Sequence, residues 1–343
     1  MSVRMRRRLP AHLAAVVLVP TVACAPSIGV PNPLQVQAWA VYFDGERGLA
    51  ELQEHGELFD RVSLFAYELD PDGTPTPAPN MDVMMAPFFR LAATKGFDPW
   101  VTVVNDVRYG ADSVLAKDST LVHELIVDPA RRLAHAREIA ARVEGDGFKG
   151  LHLDYEQVPE SDEAHLQAFI TTLGDELQQR GLGLEVVVEP VSGPLPAAGR
   201  ASAVVMAYDL FGTHSGPGPR STPGFVTELG ARARIDSASA AALAIAVGGF
   251  AWEPGGEVRA LDWLDAQRLA AEAPSTRRNA ADVPSARLSD GTEIWFEDRK
   301  SLLAKWQAAW EAGFRRLAIW RLGGNDESMF RMIRDFRRGS DPR

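Results

Sequence analysis

The sequence predicts an α/β chain folded as a (β/α)8 barrel with a short insertion after the seventh strand. From Gln35 onward, apolar runs rich in β-branched residues alternate with helical runs. There are eight such runs, at 36–42, 61–67, 100–104, 150–155, 184–189, 203–208, 243–247 and 317–320. Most are short and continuously apolar, the pattern of parallel strands covered on both faces. Eight strands joined by helices over roughly 300 residues have the proportions of a closed barrel. A doubly wound open sheet is the competing architecture, but no glycine-rich phosphate loop supports a nucleotide-binding version of it.

The elements follow in order. Residues 1–24 read as an export signal, with Arg4, Arg6, Arg7 and Arg8 ahead of a short apolar run at 13–19. That run is too short and too closely bounded by proline to span a membrane. It leads into Thr21-Val22-Ala23-Cys24, and Cys24 is the only cysteine. A lone cysteine behind small residues resembles a bacterial lipobox, with lipid attached at Cys24. Thr21 stands where leucine is usual, which leaves ordinary signal cleavage as the alternative. Residues 25–34, with Pro26, Pro31 and Pro33, read as a tether, and 35–338 as one domain. Cleavage before Cys24 removes four arginines and no acids, taking the formal charge from -10 to -14. Such an acidic chain is a poor match for nucleic acid or anionic lipid surfaces, so membrane contact is expected only through the anchor. One cysteine excludes an intramolecular disulfide.

Helix boundaries are marked in the sequence. Asp128-Pro129 supplies a cap and a proline at the first helical position, and that helix runs to Val143 before Gly145 and Gly147. Ser161, followed by Asp162 and Glu163, opens another helix that ends at Gly181. A third spans 301–312, with Gly313 placed to stop it.

In a barrel, chemistry sits at the C-terminal ends of the strands. The fourth run, Gly150-Leu151-His152-Leu153-Asp154-Tyr155-Glu156, ends in two acids on one face, with His152 beneath them. Two acids closing an apolar strand fit an acid and its electrostatic partner, or a structural ion-pair network. The sixth run ends in Met206-Ala207-Tyr208-Asp209, the seventh leads into Gly248-Gly249-Phe250-Ala251-Trp252, and the eighth ends in Trp320-Arg321-Leu322-Gly323. Carboxylates, a tyrosine and tryptophans therefore converge at one mouth. Rings that stack on apolar sugar faces beside acids that handle hydroxyls suit a carbohydrate.

These residues resemble the family 18 glycoside hydrolases, the chitinase-like group. The family's Asp-x-x-Asp-x-Asp-x-Glu signature falls here on Lys149, His152, Asp154 and Glu156, of which the last two match. Met206-Ala207-Tyr208-Asp209 matches the strand-six motif, and Trp320 takes the place of the strand-eight tryptophan. Trp295-Phe296-Glu297-Asp298 and Trp320-Arg321-Leu322-Gly323 are similar to segments of the bacterial cell-wall and spore-coat branch, with 253–293 as the shortened insertion. The resemblance implies a retaining, substrate-assisted glycosidase acting on N-acetylglucosamine-containing glycans, chitin-type or peptidoglycan. It further implies Glu156 as general acid, Asp154 orienting the substrate acetamide, and Tyr208 bonding the acetamido carbonyl. Asp209 and Met206 would contact the sugar, with Trp320 as its floor. No metal or cofactor is implied, and a barrel of this kind can work as a monomer. His152 replaces a family acid: neutral, it can hydrogen-bond Asp154, and protonated it would hold Asp154 ionised. Like-charge repulsion from Asp154 is expected to raise the proton affinity of Glu156. Phe250 replaces a frequent tyrosine.

The rival reading is a non-catalytic chitinase-like glycan-binding lipoprotein, and a third is a scaffold for protein contacts. Retention of Asp154, Glu156, Tyr208 and Trp320 favours the enzyme. The seven histidines have no metal-ligand spacing and read mostly as exposed. Glu189 faces the cleft or pairs with an arginine. Tyr67 and Asn105 read by default as core packing or loop capping. Gly216-Pro217-Gly218-Pro219 reads as a rigid loop, and Arg131-Arg132 and Arg315-Arg316 as solvated helix faces.

Overall fold

The computed structural model describes residues 34–110, 113–190, 200–233 and 241–339. The expected signal at 1–24, its Cys24 and the tether up to residue 33 lie outside the described residues.

Eight parallel strands close into a barrel: β1 (Gln35–Val41), β2 (Arg61–Leu69), β3 (Asp98–Gly110), β4 (Gly150–Asp154), β5 (Gly183–Val188), β6 (Ser202–Met206), β7 (Ala242–Ala246) and β8 (Arg316–Trp320). Each pairs with the next in sequence, and β8 returns to β1 in the register Gln35↔Arg316 to Ala38↔Ile319. The wall helices are α1 (Gly45–His55), α2 (Met81–Lys95), α3 (Ser119–Ile126), α4 (Pro129–Gly145), α5 (Glu163–Gln179), α6 (Pro223–Ala233), α7 (Trp263–Glu272), α8 (Arg299–Glu311) and α9 (Glu327–Arg337). Aspartates cap five of them: the side chains of Asp118, Asp128, Asp262, Asp298 and Asp326 accept from first-turn amides. α8 begins at Arg299, earlier than expected, because Asp298 and Ser301 form a reciprocal capping box. The helix expected from Ser161 opens as a 3-10 turn over Glu160–Asp162 before α5.

Strand alternation sorts the side chains into two layers. The outward faces of the strands pack against the helices in the main core, with Val36, Val62, Leu64, Val101, Leu151, Leu153, Leu243 and Leu317 fully buried. The inward faces form a second cluster around Trp39, Val187, Val204, Met206, Tyr208 and the alanines of β7 and β8. Those alanines leave space inside the barrel that the larger rings and the site occupy. Low in the barrel, a Cβ at Gly150 or Gly183 would come within 2.5 or 2.6 Å of the Trp100 ring, so glycine is required beside it.

A buried charge cluster lies at the same level. Glu185 of β5 pairs with Arg61 of β2 and Arg316 of β8, and accepts from His152 Nε2 at 2.9 Å. Arg316 is therefore part of the barrel interior, whereas the sequence pattern placed it on a solvated face. Arg315 beside it stacks on Trp310 at 3.8 Å.

The structure departs from the sequence expectation at β3 and in the insertion. β3 continues six residues past 104 and folds back antiparallel on Ser113–Leu115, standing above the barrel mouth. The insertion after β7 is a five-stranded antiparallel sheet in the order Val258–Leu261, Gly249–Trp252, Glu293–Phe296, Pro284–Arg287, Thr276–Arg278. α7 packs on it through Ala266 and Leu269 against Ala251, Ile294 and Phe296. Gly248 makes the turn into this sheet at φ 79, where a Cβ would lie 2.1 Å from the Leu261 carbonyl oxygen.

Candidate active site

β4 delivers the two acids. Its ladder with β3 ends at the pair Val104↔Asp154. One step beyond, Asn105 takes over with its side chain: Nδ2 donates to the Glu156 carbonyl at 2.9 Å, and Oδ1 accepts from the Glu156 amide at 3.0 Å. Asn105 is fully buried, so the loop-capping reading holds and it lines no subsite. Tyr67 is likewise core: its hydroxyl bonds Asp146 and it packs edge-on to Phe148.

Asp154, Glu156, Met206, Tyr208, Asp209 and Trp320 line one cavity of about 150 Å³, together with Trp39, Phe65, Val187, Lys117 and Arg220. The structure thus brings these six together, whereas Phe250 and Trp252 line neighbouring clefts and His152, expected among the substrate-binding residues, lies beneath and outside the cavity. Trp320 closes the cavity on one side and is held edge-on by Trp39 at 5.8 Å and Phe65 at 5.5 Å. Trp39 is fixed in turn by Nε1 donating to Thr102 Oγ1 at 3.0 Å. The Trp320–Arg321 peptide bond is cis. Past Trp320 and Arg220 the cleft widens to about 470 Å³ between Phe43, Arg47, Phe250, Asp262 and Arg321.

His152 does not bond Asp154. It is completely buried, and its Nε2 faces Glu185 on the adjacent strand. Burial first, then the Arg61 and Arg316 charges, push its pKa well below the ordinary value, so it is neutral and does not hold Asp154 ionised. Nor are the histidines mostly exposed: His55, His135 and His152 are buried among the described residues. His135 packs behind β4, with Nε2 at 2.7 Å from the Tyr155 hydroxyl.

Burial raises the proton affinity of Asp154, to about 7. Burial is the main cause; Lys117 opposes it, and Glu156, Asp106 and Glu189 add to it. Its Oδ1 is buried without a hydrogen-bond partner among the described residues. Glu156 instead carries a cation, with Lys117 Nζ at 2.7 Å from Oε1. Sequence reasoning missed Lys117, which lies in the loop after the β3 hairpin, far along the chain from Asp154 and Glu156. It also missed Arg220, which binds the Asp209 carboxylate at 2.9 Å and lies over the Phe250 and Tyr208 rings at 4.7 and 5.4 Å. Phe250 therefore serves as a ring under Arg220. Tyr208 is buried and its hydroxyl is held well above its ordinary range, first by burial and then by Asp154 and Asp209.

No family model matches the sequence. The chain is 25% identical over 296 residues to YdhD of Bacillus subtilis (strain 168), whose name describes a sporulation-specific glycosylase; the match covers 79% of this chain and 67% of that protein. Among solved structures, the spore cortex-lytic enzyme SleL of Bacillus megaterium QM B1551 superposes with TM-score 0.73 at 19% identity, over 89% of this chain and 75% of that one. A chitinase from Chromobacterium violaceum ATCC 12472 superposes with TM-score 0.75 at 20% identity, over 88% and 98%. The chain has the chitinase-like glycosidase fold.

Proposed function

We propose that this protein is a retaining glycoside hydrolase that cleaves N-acetylglucosamine-containing glycans, with the substrate's own acetamido group as nucleophile. The observation that carries the reading is Asp154 Oδ1. It is a buried acceptor without a partner among the described residues, in a cavity that also holds Glu156, Tyr208 and Trp320. Buried acceptors are almost always paired in folded proteins, so an unpaired one in a cavity fits an incoming N–H donor. An acetamide N–H on Asp154 aims its carbonyl oxygen at the anomeric carbon. Glu156 then gives its proton to the glycosidic oxygen as the bond to the anomeric carbon breaks, and the acetamido oxygen bonds that carbon. Water opens the resulting cationic ring and returns a proton to Glu156. Tyr208 holds the acetamido carbonyl, Trp320 carries the sugar face, and Met206 and Asp209 border it. The wider cleft beyond Trp320 suits further sugar units. The names of YdhD, SleL and the chitinase agree with this chemistry. We further propose export and lipid attachment at Cys24, which radiolabelled palmitate incorporation into wild type and not into Cys24→Ala would support.

The test is hydrolysis of N-acetylglucosamine oligomers and of purified peptidoglycan. Wild type is expected to cleave at least one of them, and Glu156→Gln to lose about 10²- to 10⁴-fold in kcat, the usual worth of a general acid. Saturable binding with no cleavage by wild type would replace this reading with the glycan-binding one.

A further inference from the structure

Lys117 reaches Glu156 from a loop. Its backbone is left-handed at φ 56, and its amide donates to Asp106 Oδ1 at 3.0 Å, so the residue is set in place before its side chain enters the cleft. The ammonium then lies 2.7 Å from Glu156 Oε1 and 3.7 Å from Asp106 Oδ1. The other charged and titratable groups around the pair are accounted for. Asp106 lies on β3 and Glu189 just past β5, both adding negative charge. Tyr208 and Asp209 follow β6, and Arg220 is committed to Asp209. His152, beneath on β4, is neutral and bonded to Glu185. Lys117 is thus in contact with Glu156, and its charge acts on Asp154 beside it.

We propose that Lys117 is a positioning residue that clamps Glu156 through Oε1, leaves Oε2 to carry the transferred proton, and sets the pH window in which the Asp154–Glu156 pair holds a single proton. The proposal deepens the glycosidase reading and rests on it for its catalytic arm. Two acids this close titrate as a unit. A cation on one of them favours loss of a proton from the pair, and the attraction is reciprocal. Burial opposes the Lys117 charge, yet Asp154, Glu156 and Asp106 together hold its proton more tightly than usual. The clamp therefore works against burial, which alone would drive Asp154 upward.

Two measurements on the full protein test this. In the first, the pH dependence of kcat/KM on a glycan that wild type cleaves is compared among wild type, Lys117→Met and Lys117→Arg. Both limbs are expected to move toward alkaline pH by about one unit or more in Lys117→Met, the effect of losing an opposite charge at contact. Lys117→Arg keeps the wild-type window. In the second, carbon-13 NMR follows the aspartate carboxyls, the Asp154 signal being assigned by its loss in Asp154→Asn. Its midpoint is expected to rise in Lys117→Met, with Lys117→Gln as a second charge-neutral variant should the first fold poorly. Unmoved limbs and an unmoved Asp154 midpoint would overturn the proposal, whatever happened to the rate. The NMR arm does not depend on hydrolysis: absence of cleavage by wild type would defeat the glycosidase reading and leave the clamp judged by the titration alone.

Discussion

Asp154 and His152 lie two residues apart on the same face of β4, and burial drives their titrations in opposite directions. Asp154 keeps its proton to about 7, whereas an unfolded aspartate loses it near 3.8. The folded state therefore holds the extra proton between those values, and stability is lost as pH rises through that window. Asp154→Asn removes the penalty. Its melting temperature is expected to exceed that of wild type at pH 8, the gap closing at pH 4, when calorimetry is run at both; activity falls in the same variant, as is common where a site stores destabilisation. His152 has the opposite sign: its depressed pKa contributes stability present above about 6.5 and lost on acidification. At this scale the sequence revealed the acids but not their surroundings. The i, i+2 pattern placed Asp154, Glu156 and His152 on one face. It did not show that Glu185, a lone acid in the apolar run Leu184-Glu185-Val186, sits one strand over and takes the imidazole; that isolated acid was the available signal.

The same division holds for elements. The parallel strands were legible because continuous apolar runs are what two-sided burial demands. The β3 hairpin was not, because its tip exposes Tyr109, Val114 and Leu115 and lacks the alternation of a half-buried strand. Lys117 was hidden with it. The insertion was legible as a location but not as a sheet, since its strands are three or four residues long. Its return to the barrel is pinned by Glu297, whose carboxylate binds Ser301 Oγ at 2.7 Å and the buried Lys305 ammonium, while its amide donates to the Gly248 carbonyl at 2.7 Å. The Trp-Phe-Glu-Asp segment is thus a joint: Phe296 enters the insertion core, Glu297 neutralises Lys305, and Asp298 caps α8. Glu297→Ala strands a fully buried ammonium and is expected to destabilise the fold by about 3–5 kcal/mol in urea titration. Glu297→Ala combined with Lys305→Met should recover most of that loss.

Across the whole molecule, the barrel interior is stratified. At the bottom, Glu185 joins β2, β4, β5 and β8 through Arg61, His152 and Arg316; the middle is closed by Trp39, Thr102 and Ser63; the cleft lies above. Burial lowers the pKa of both arginines to about 10, and they remain cations at neutral pH. Glu185→Gln leaves two such cations facing each other, and a global loss of about 3–5 kcal/mol is expected by chemical denaturation, with the two arginines losing their common partner. The Asn105 amide, which extends the β3–β4 ladder by one artificial rung, bears on how such a molecule can change over evolutionary time. Because the backbone of Glu156 is bolted to the barrel by a side chain, the chain is released from register only afterwards, at Gln157 with φ 56. The loop beyond can lengthen, shorten or be replaced without carrying the Glu156 carboxylate along, so that the acid pair and the rim around it are inherited as separable modules.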